Sequence, residues 1–139
     1  MEGKCLCGAI TVKAPDHRNV DACHCGMCRR WGGSPALGVL CGPEVQFDGA
    51  EHIKVYKSSD WAERAFCHEC GTHIFYKLVA TGDYFLPAGL FQDGVEFEFT
   101  EQIFIDRKPS YYEFANQTAN MTEAEVFAKF ASDVDNQAT

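Results

Sequence analysis

Seven of the 8 cysteines stand in three tight groups: Cys5-Leu6-Cys7-Gly8, Cys23-His24-Cys25-Gly26-Met27-Cys28 and Cys67-His68-Glu69-Cys70-Gly71. Thiols this close strain any disulfide between nearest neighbours but suit a shared metal ion. If Cys5 and Cys7 are extended, both sulfurs fall on one face of the chain. Cys67 and Cys70 have the C-x-x-C-G spacing of a zinc knuckle, in which glycine relaxes the turn that aims two sulfurs at one point. Cys23, Cys25 and Cys28 supply three thiolates. That is the ligand number of catalytic zinc, whose fourth position is left for water or substrate. The alternative is a closed site with Cys41 or a histidine as fourth ligand. Cys41 itself lies in the strand-like run Ala36 to Cys41 and reads as a small buried hydrophobe. His24 points away from its neighbours in an extended chain, and His68 reads as an exposed knuckle residue. Iron accepts tetrahedral sulfur as zinc does. Spacing alone leaves open which groups share an ion.

The elements that position these groups read as mainly β. Ile10-Thr11-Val12, Val45-Gln46-Phe47, Ile53-Lys54-Val55-Tyr56 and Glu96-Phe97-Glu98-Phe99 alternate with period two. Asp48-Gly49, Gly82-Asp83, Asp93-Gly94 and Gly32-Gly33-Ser34-Pro35 mark the turns between them. An antiparallel all-β domain follows. Thr122-Glu123-Ala124-Glu125 is a capping box, and Val126, Phe127, Phe130 and Ala131 continue it as the apolar stripe of one short C-terminal helix. The polar tail 133–139 is expected to fray.

Length and composition fit one domain over 1–139: 46% of the residues are hydrophobic, with 11 Phe, 5 Tyr and 2 Trp to build a core. A net charge of -8, with no basic run longer than Arg29-Arg30, excludes a phosphate-tracking surface, so nucleic acid is not an expected partner. No run approaches the roughly 20 apolar residues of a membrane span, and Met1-Glu2-Gly3-Lys4 lacks a signal-peptide layout. A cytoplasmic location with reduced thiols is expected, which favours metal over disulfides.

The succession Gly3-Lys4-Cys5-Leu6-Cys7-Gly8-Ala9-Ile10, Cys23-His24-Cys25-Gly26-Met27-Cys28-Arg29-Arg30 and Phe66-Cys67-His68-Glu69-Cys70-Gly71-Thr72 resembles the glutathione-dependent formaldehyde-activating enzyme family, which includes centromere protein V. The resemblance covers about residues 3–115. It implies a complex zinc-bound fold of several coiled β-sheets and two Zn²⁺ per chain. A structural zinc would lie on Cys5, Cys7, Cys67 and Cys70, and a catalytic zinc on Cys23, Cys25 and Cys28. It also implies a carbon-sulfur lyase-type reaction of the S-(hydroxymethyl)glutathione synthase kind, with glutathione and a small aldehyde as partners. The chain departs from the formaldehyde enzymes in reading Gly89-Leu90-Phe91-Gln92-Asp93 where many members read Gly-Thr-Leu-Asp, and in carrying Trp31-Gly32-Gly33 after the second cluster.

A zinc ion on three thiolates carries a formal charge of -1. It is a weaker Lewis acid than zinc on histidines, yet it can still bind and deprotonate a thiol. Arg29 and Arg30 are the nearest candidates to pair with the carboxylates of glutathione, and Trp31 is a candidate pocket wall. Asp93 reads as a turn residue. The competing readings are a non-catalytic zinc module that shapes a protein-interaction surface, and a thiol redox enzyme akin to B-type methionine sulfoxide reductases. The apolar context of Cys41 disfavours the latter.

Overall fold

The computed structural model describes residues 1–138, with side chains through residue 134. In chain order the strands are β1 (Glu2–Lys4), β2 (Thr11–Lys13), β3 (Asn19–Cys23), β4 (Ala36–Gly42), β5 (Gln46–Asp48), β6 (Ile53–Lys57), β7 (Ala62–Cys67), β8 (His73–Leu78), β9 (Tyr84–Pro87), β10 (Glu98–Ile103) and β11 (Ala119–Met121). The helices are α1 (Gly26–Gly32) and α2 (Glu123–Ala138). The fold is mainly β, as the alternating sequence predicts, and lies in two sheets. It is not the wholly antiparallel domain expected from sequence, because β10 pairs in parallel with its neighbours. No helix among the described residues is long and apolar enough to cross a membrane.

Two compact units divide the chain: Met1–Arg18 with Val39–Phe97, and Asn19–Gly38 with Glu98 onward. In the first, β1, β2 and β5 form an antiparallel sheet, with Gly3 opposite Val12 and Val12 opposite Phe47. An antiparallel run β9-β8-β7-β6 completes the unit. Ile10, Val12, Val39, Ile74 and Leu86 are fully buried here and form its core. Every turn dipeptide read in this unit is one. Asp48-Gly49 is the tightest: Gly49 has φ 79, and a Cβ there would meet the Ala9 carbonyl oxygen at 1.9 Å, so no other residue fits.

The second unit contains a pairing that local sequence did not announce. β10 runs parallel to both β3 and β11, while β3 pairs antiparallel with the start of β4. Val20 and Ala22 of β3 are buried with Gln102 of β10. The capping box forms as read: the Thr122 N–H donates to Glu125 Oε1 at 3.0 Å, and the Glu125 N–H donates to Thr122 Oγ1 at 3.3 Å. Helix α2 is 16 residues long and takes in 133–138, which composition had assigned to a fraying tail; Thr139 lies outside the described residues. Its apolar stripe is only half covered. Val126 and Phe130 are partly buried, while Phe127 stays 45% exposed and meets the Phe104 ring in a T-shaped pair.

Candidate metal centres

The first unit gathers Cys5, Cys7, Cys67 and Cys70, whose sulfurs all lie within 4.8 Å of one another. Two similar turns deliver them. In one, the Cys5 N–H donates to the Ile10 carbonyl, the Gly8 N–H donates to the Cys5 carbonyl, and Gly8 takes φ 81. In the other, the Cys67 N–H donates to the Thr72 carbonyl, the Gly71 N–H donates to the Cys67 carbonyl, and Gly71 also takes φ 81. Cys5 and Cys7 are therefore not extended, as the sequence reading supposed. They occupy a knuckle of their own, and the left-handed Gly8 is the residue that permits it.

The Cys5 and Cys7 sulfurs are 3.6 Å apart, and those of Cys7 and Cys67 are 3.8 Å apart. A tetrahedral zinc ion with bonds of about 2.3 Å sets its sulfurs roughly 3.8 Å apart, so the donor set fits zinc. These separations are far beyond a disulfide bond, and none of the eight cysteines is disulfide-bonded. Thr72 joins the two knuckles. Its hydroxyl donates to Cys70 Sγ at 3.2 Å and accepts the Leu6 N–H at 3.1 Å. The Thr72 hydroxyl and backbone draw the Cys70 thiol down to about 5, into the thiolate form that a metal takes. If the four thiols hold a metal ion, Thr72→Val should release it to a colorimetric chelator roughly tenfold faster than the parent chain. An unchanged release rate would remove Thr72 from the site.

In the second unit Cys23, Cys25 and Cys28 bring three sulfurs within 4.8 Å. Cys23 ends β3, Cys25 is the N-cap of α1, and Cys28 lies buried in its first turn. Cys25 Sγ accepts the Cys28 N–H at 3.3 Å, so a candidate metal ligand also caps the helix. The sulfurs of Cys25 and Cys28, together with burial, push the Cys23 thiol up. Three thiolates this close need a cation to be stable, and zinc held by three sulfurs fits the set. Cys41 belongs to neither group. It is buried, its Sγ lies 3.5 Å from the Val39 carbonyl oxygen, and burial raises its thiol to about 11. That is the inert behaviour expected of it.

The sequence reading missed what lies behind this cluster. His24 is fully buried with both ring nitrogens engaged: Nδ1 is 2.6 Å from the Tyr112 hydroxyl and Nε2 is 2.8 Å from Gln102 Oε1. The Gln102 amide nitrogen donates to Thr118 Oγ1 at 2.9 Å, which orients its oxygen towards the imidazole. His24 therefore donates from Nε2 and accepts from Tyr112 at Nδ1. Burial lowers its pKa, in keeping with a neutral ring. The backbone of His24 is held as well, its N–H on the Ile103 carbonyl at 3.1 Å and its carbonyl oxygen on Arg29 Nε at 2.9 Å. Arg29 is thus partly committed to the cluster's own backbone, while Arg30 is exposed and Trp31 half-buried. Asp93 sits exposed before Gly94, whose φ is 74.

Residues 1–107 match the family model described as glutathione-dependent formaldehyde-activating enzyme. A relative from Schizosaccharomyces pombe, described as an uncharacterized lyase, is 39% identical over 127 residues, spanning 90% of this chain and 93% of the relative. A crystal structure of a Rhodobacter sphaeroides protein shares the fold with a TM-score of 0.59 at 23% identity, covering 68% of this chain and 90% of that one.

Proposed function

Because the chain belongs to the glutathione-dependent formaldehyde-activating enzyme family, we propose that it is a zinc-dependent carbon-sulfur lyase-type enzyme acting on the adduct of glutathione and a small aldehyde. The reaction is of the S-(hydroxymethyl)glutathione synthase kind. A bond forms or breaks between the thiol sulfur and the carbonyl carbon, and the proton lost by the thiol ends on the aldehyde oxygen. The observation that carries the reading is the second cluster: among the described residues its ligand group stops at three sulfurs. The lyase description of the yeast relative points the same way.

Cys23, Cys25 and Cys28 would hold the catalytic ion, and Cys5, Cys7, Cys67 and Cys70 a structural one. Zinc on three thiolates supplies a position that binds a thiol sulfur as thiolate. The protein's part is placement, since a rigid site converts the encounter of thiol and aldehyde into a local event. His24 contributes by holding the backbone between two ligands, and with both nitrogens engaged it is no general base. Arg30, exposed beside the cluster in sequence, is the candidate for a glutathione carboxylate, and Arg29 contributes through the His24 carbonyl.

The test compares the parent chain with Cys25→Ser for metal content and for thiol-adduct formation from glutathione and a panel of small aldehydes. The expected result is two zinc ions falling to one, with adduct formation reduced by more than about a hundredfold, the scale of a lost catalytic group. Two zinc ions in the parent without thiol binding or turnover would leave a non-catalytic zinc module instead.

A further inference from the structure

A third group of metal-ligating side chains lies in the first unit, outside both thiolate clusters. His52 follows the Gly49 turn and immediately precedes β6; His68 and Glu69 are the two residues between Cys67 and Cys70. Their backbones are tied by the His68 N–H, which donates to the His52 carbonyl at 2.8 Å. His52 Nδ1 and His68 Nε2 are 3.2 Å apart, and Glu69 Oε1 is 3.6 Å from the first and 3.3 Å from the second. The geometry points to a binding site for a divalent first-row transition cation, held by His52 Nδ1, His68 Nε2 and Glu69 Oε1, with its remaining positions open to solvent.

Two features distinguish this triangle from an ordinary surface ion-pair network. First, the same three atoms face one another. Two ring N–H groups donating to Glu69 satisfy two edges of such a triangle and leave the nitrogen–nitrogen edge unsatisfied, whereas a cation above its face satisfies all three. Metal–nitrogen and metal–oxygen bonds of about 2.0–2.2 Å in a tetrahedron separate ligand atoms by roughly 3.3–3.6 Å, which matches the observed edges. Second, the far nitrogen of His52, Nε2, is 3.5 Å from Glu51 Oε1. A carboxylate behind the ligating imidazole is the arrangement that fixes a metal-bound histidine, and it contributes the further negative charge that neutralises the site. Two neutral imidazoles and one carboxylate select zinc, cobalt, nickel or copper over magnesium and calcium, which prefer all-oxygen shells. All three side chains are partly exposed, so this cation exchanges with solvent more readily than those held by thiolates. Because His68 and Glu69 lie inside the Cys67–Cys70 turn, occupancy at the surface also stiffens the knuckle beneath.

The test uses holoprotein whose thiolate sites are filled and whose loosely held metal has been removed with a weak chelator, titrated calorimetrically with Zn²⁺ in the absence of glutathione. The expected result is a further equivalent of Zn²⁺ bound with shifts of the His52 and His68 ring resonances, unaffected by millimolar Mg²⁺. It should be weakened more than about tenfold in His52→Ala and in Glu69→Gln. His52 lies outside the knuckle, so its variant keeps the thiolate metals and remains interpretable if Glu69→Gln disturbs them. Absence of a further equivalent, or equal affinity in His52→Ala, would overturn the site. Neither outcome depends on whether the second cluster is catalytic.

Discussion

Cys67→Ser is expected to leave the chain with one zinc ion fewer and to lower its melting temperature by more than about 10 °C at fixed metal concentration. Cys67 is fully buried at the end of β7, and its sulfur meets that of Cys7 across 60 residues of sequence. An ion held by these four thiols would do what a cross-link does: it would fix the turn after β1 against the turn after β7. Structural zinc in small peptides contributes roughly 10 kcal/mol of folding free energy. Even a partial loss of 2–3 kcal/mol converts to about 10 °C or more in a chain of this size. The matched control is Cys41→Ala, which removes another buried sulfur without touching a ligand group. It should keep both ions and cost about 1 kcal/mol for the small cavity left. Thermal melts followed by circular dichroism, with metal analysis of each sample, decide the matter. A Cys67→Ser chain that melts with the parent would show that this cluster does not support the fold.

How much of this was legible beforehand depended on whether the signal was local. The three cysteine groups were, because a knuckle is closed by residues within five positions of one another. So were the capping box at Thr122 and the glycine turns, which are set by one or two side chains and a φ angle. The knuckle at Cys5 carried the same glycine signal as that at Cys67, yet the strand beyond it suggested an extended chain; the left-handed Gly8 decides for a turn. Helix α1 was not legible. Seven residues bounded by glycines are too few to show a 3.6-residue period, and its start is fixed by a cysteine cap whose spacing reads as that of a metal ligand, which hides its function as cap. The parallel alignment of β10 with β3 was invisible for another reason. It is a choice among non-local partners, and the alternation of side chains is the same in either orientation.

The burial of His24 belongs to this non-local class, since its partners stand 78 and 88 residues away in sequence, and it leads to the second large effect. Replacing Gln102 by leucine should strand the Nε2–H of a fully buried imidazole, at a cost of about 1–3 kcal/mol. Replacing His24 by leucine should strand the Gln102 amide in the same way. Removing both should cost markedly less than the sum, because the buried pair then becomes an apolar contact, and the hydroxyls of Tyr112 and Thr118 that it releases are partly exposed and can turn to water. Tyr112→Phe should do less than either, because Tyr112 is partly exposed and water can replace its hydroxyl at Nδ1. Melting temperatures of the two single variants and the double variant, taken at fixed zinc, give the coupling directly. The single variants should also lose metal from Cys23, Cys25 and Cys28 before any is lost from the first cluster, because His24 holds the backbone between two of those ligands through the Ile103 carbonyl and Arg29. Additive effects would mean that the hydrogen bond contributes nothing beyond packing. Additive effects together with unchanged metal retention would mean that the second centre is positioned by β3 and α1 alone.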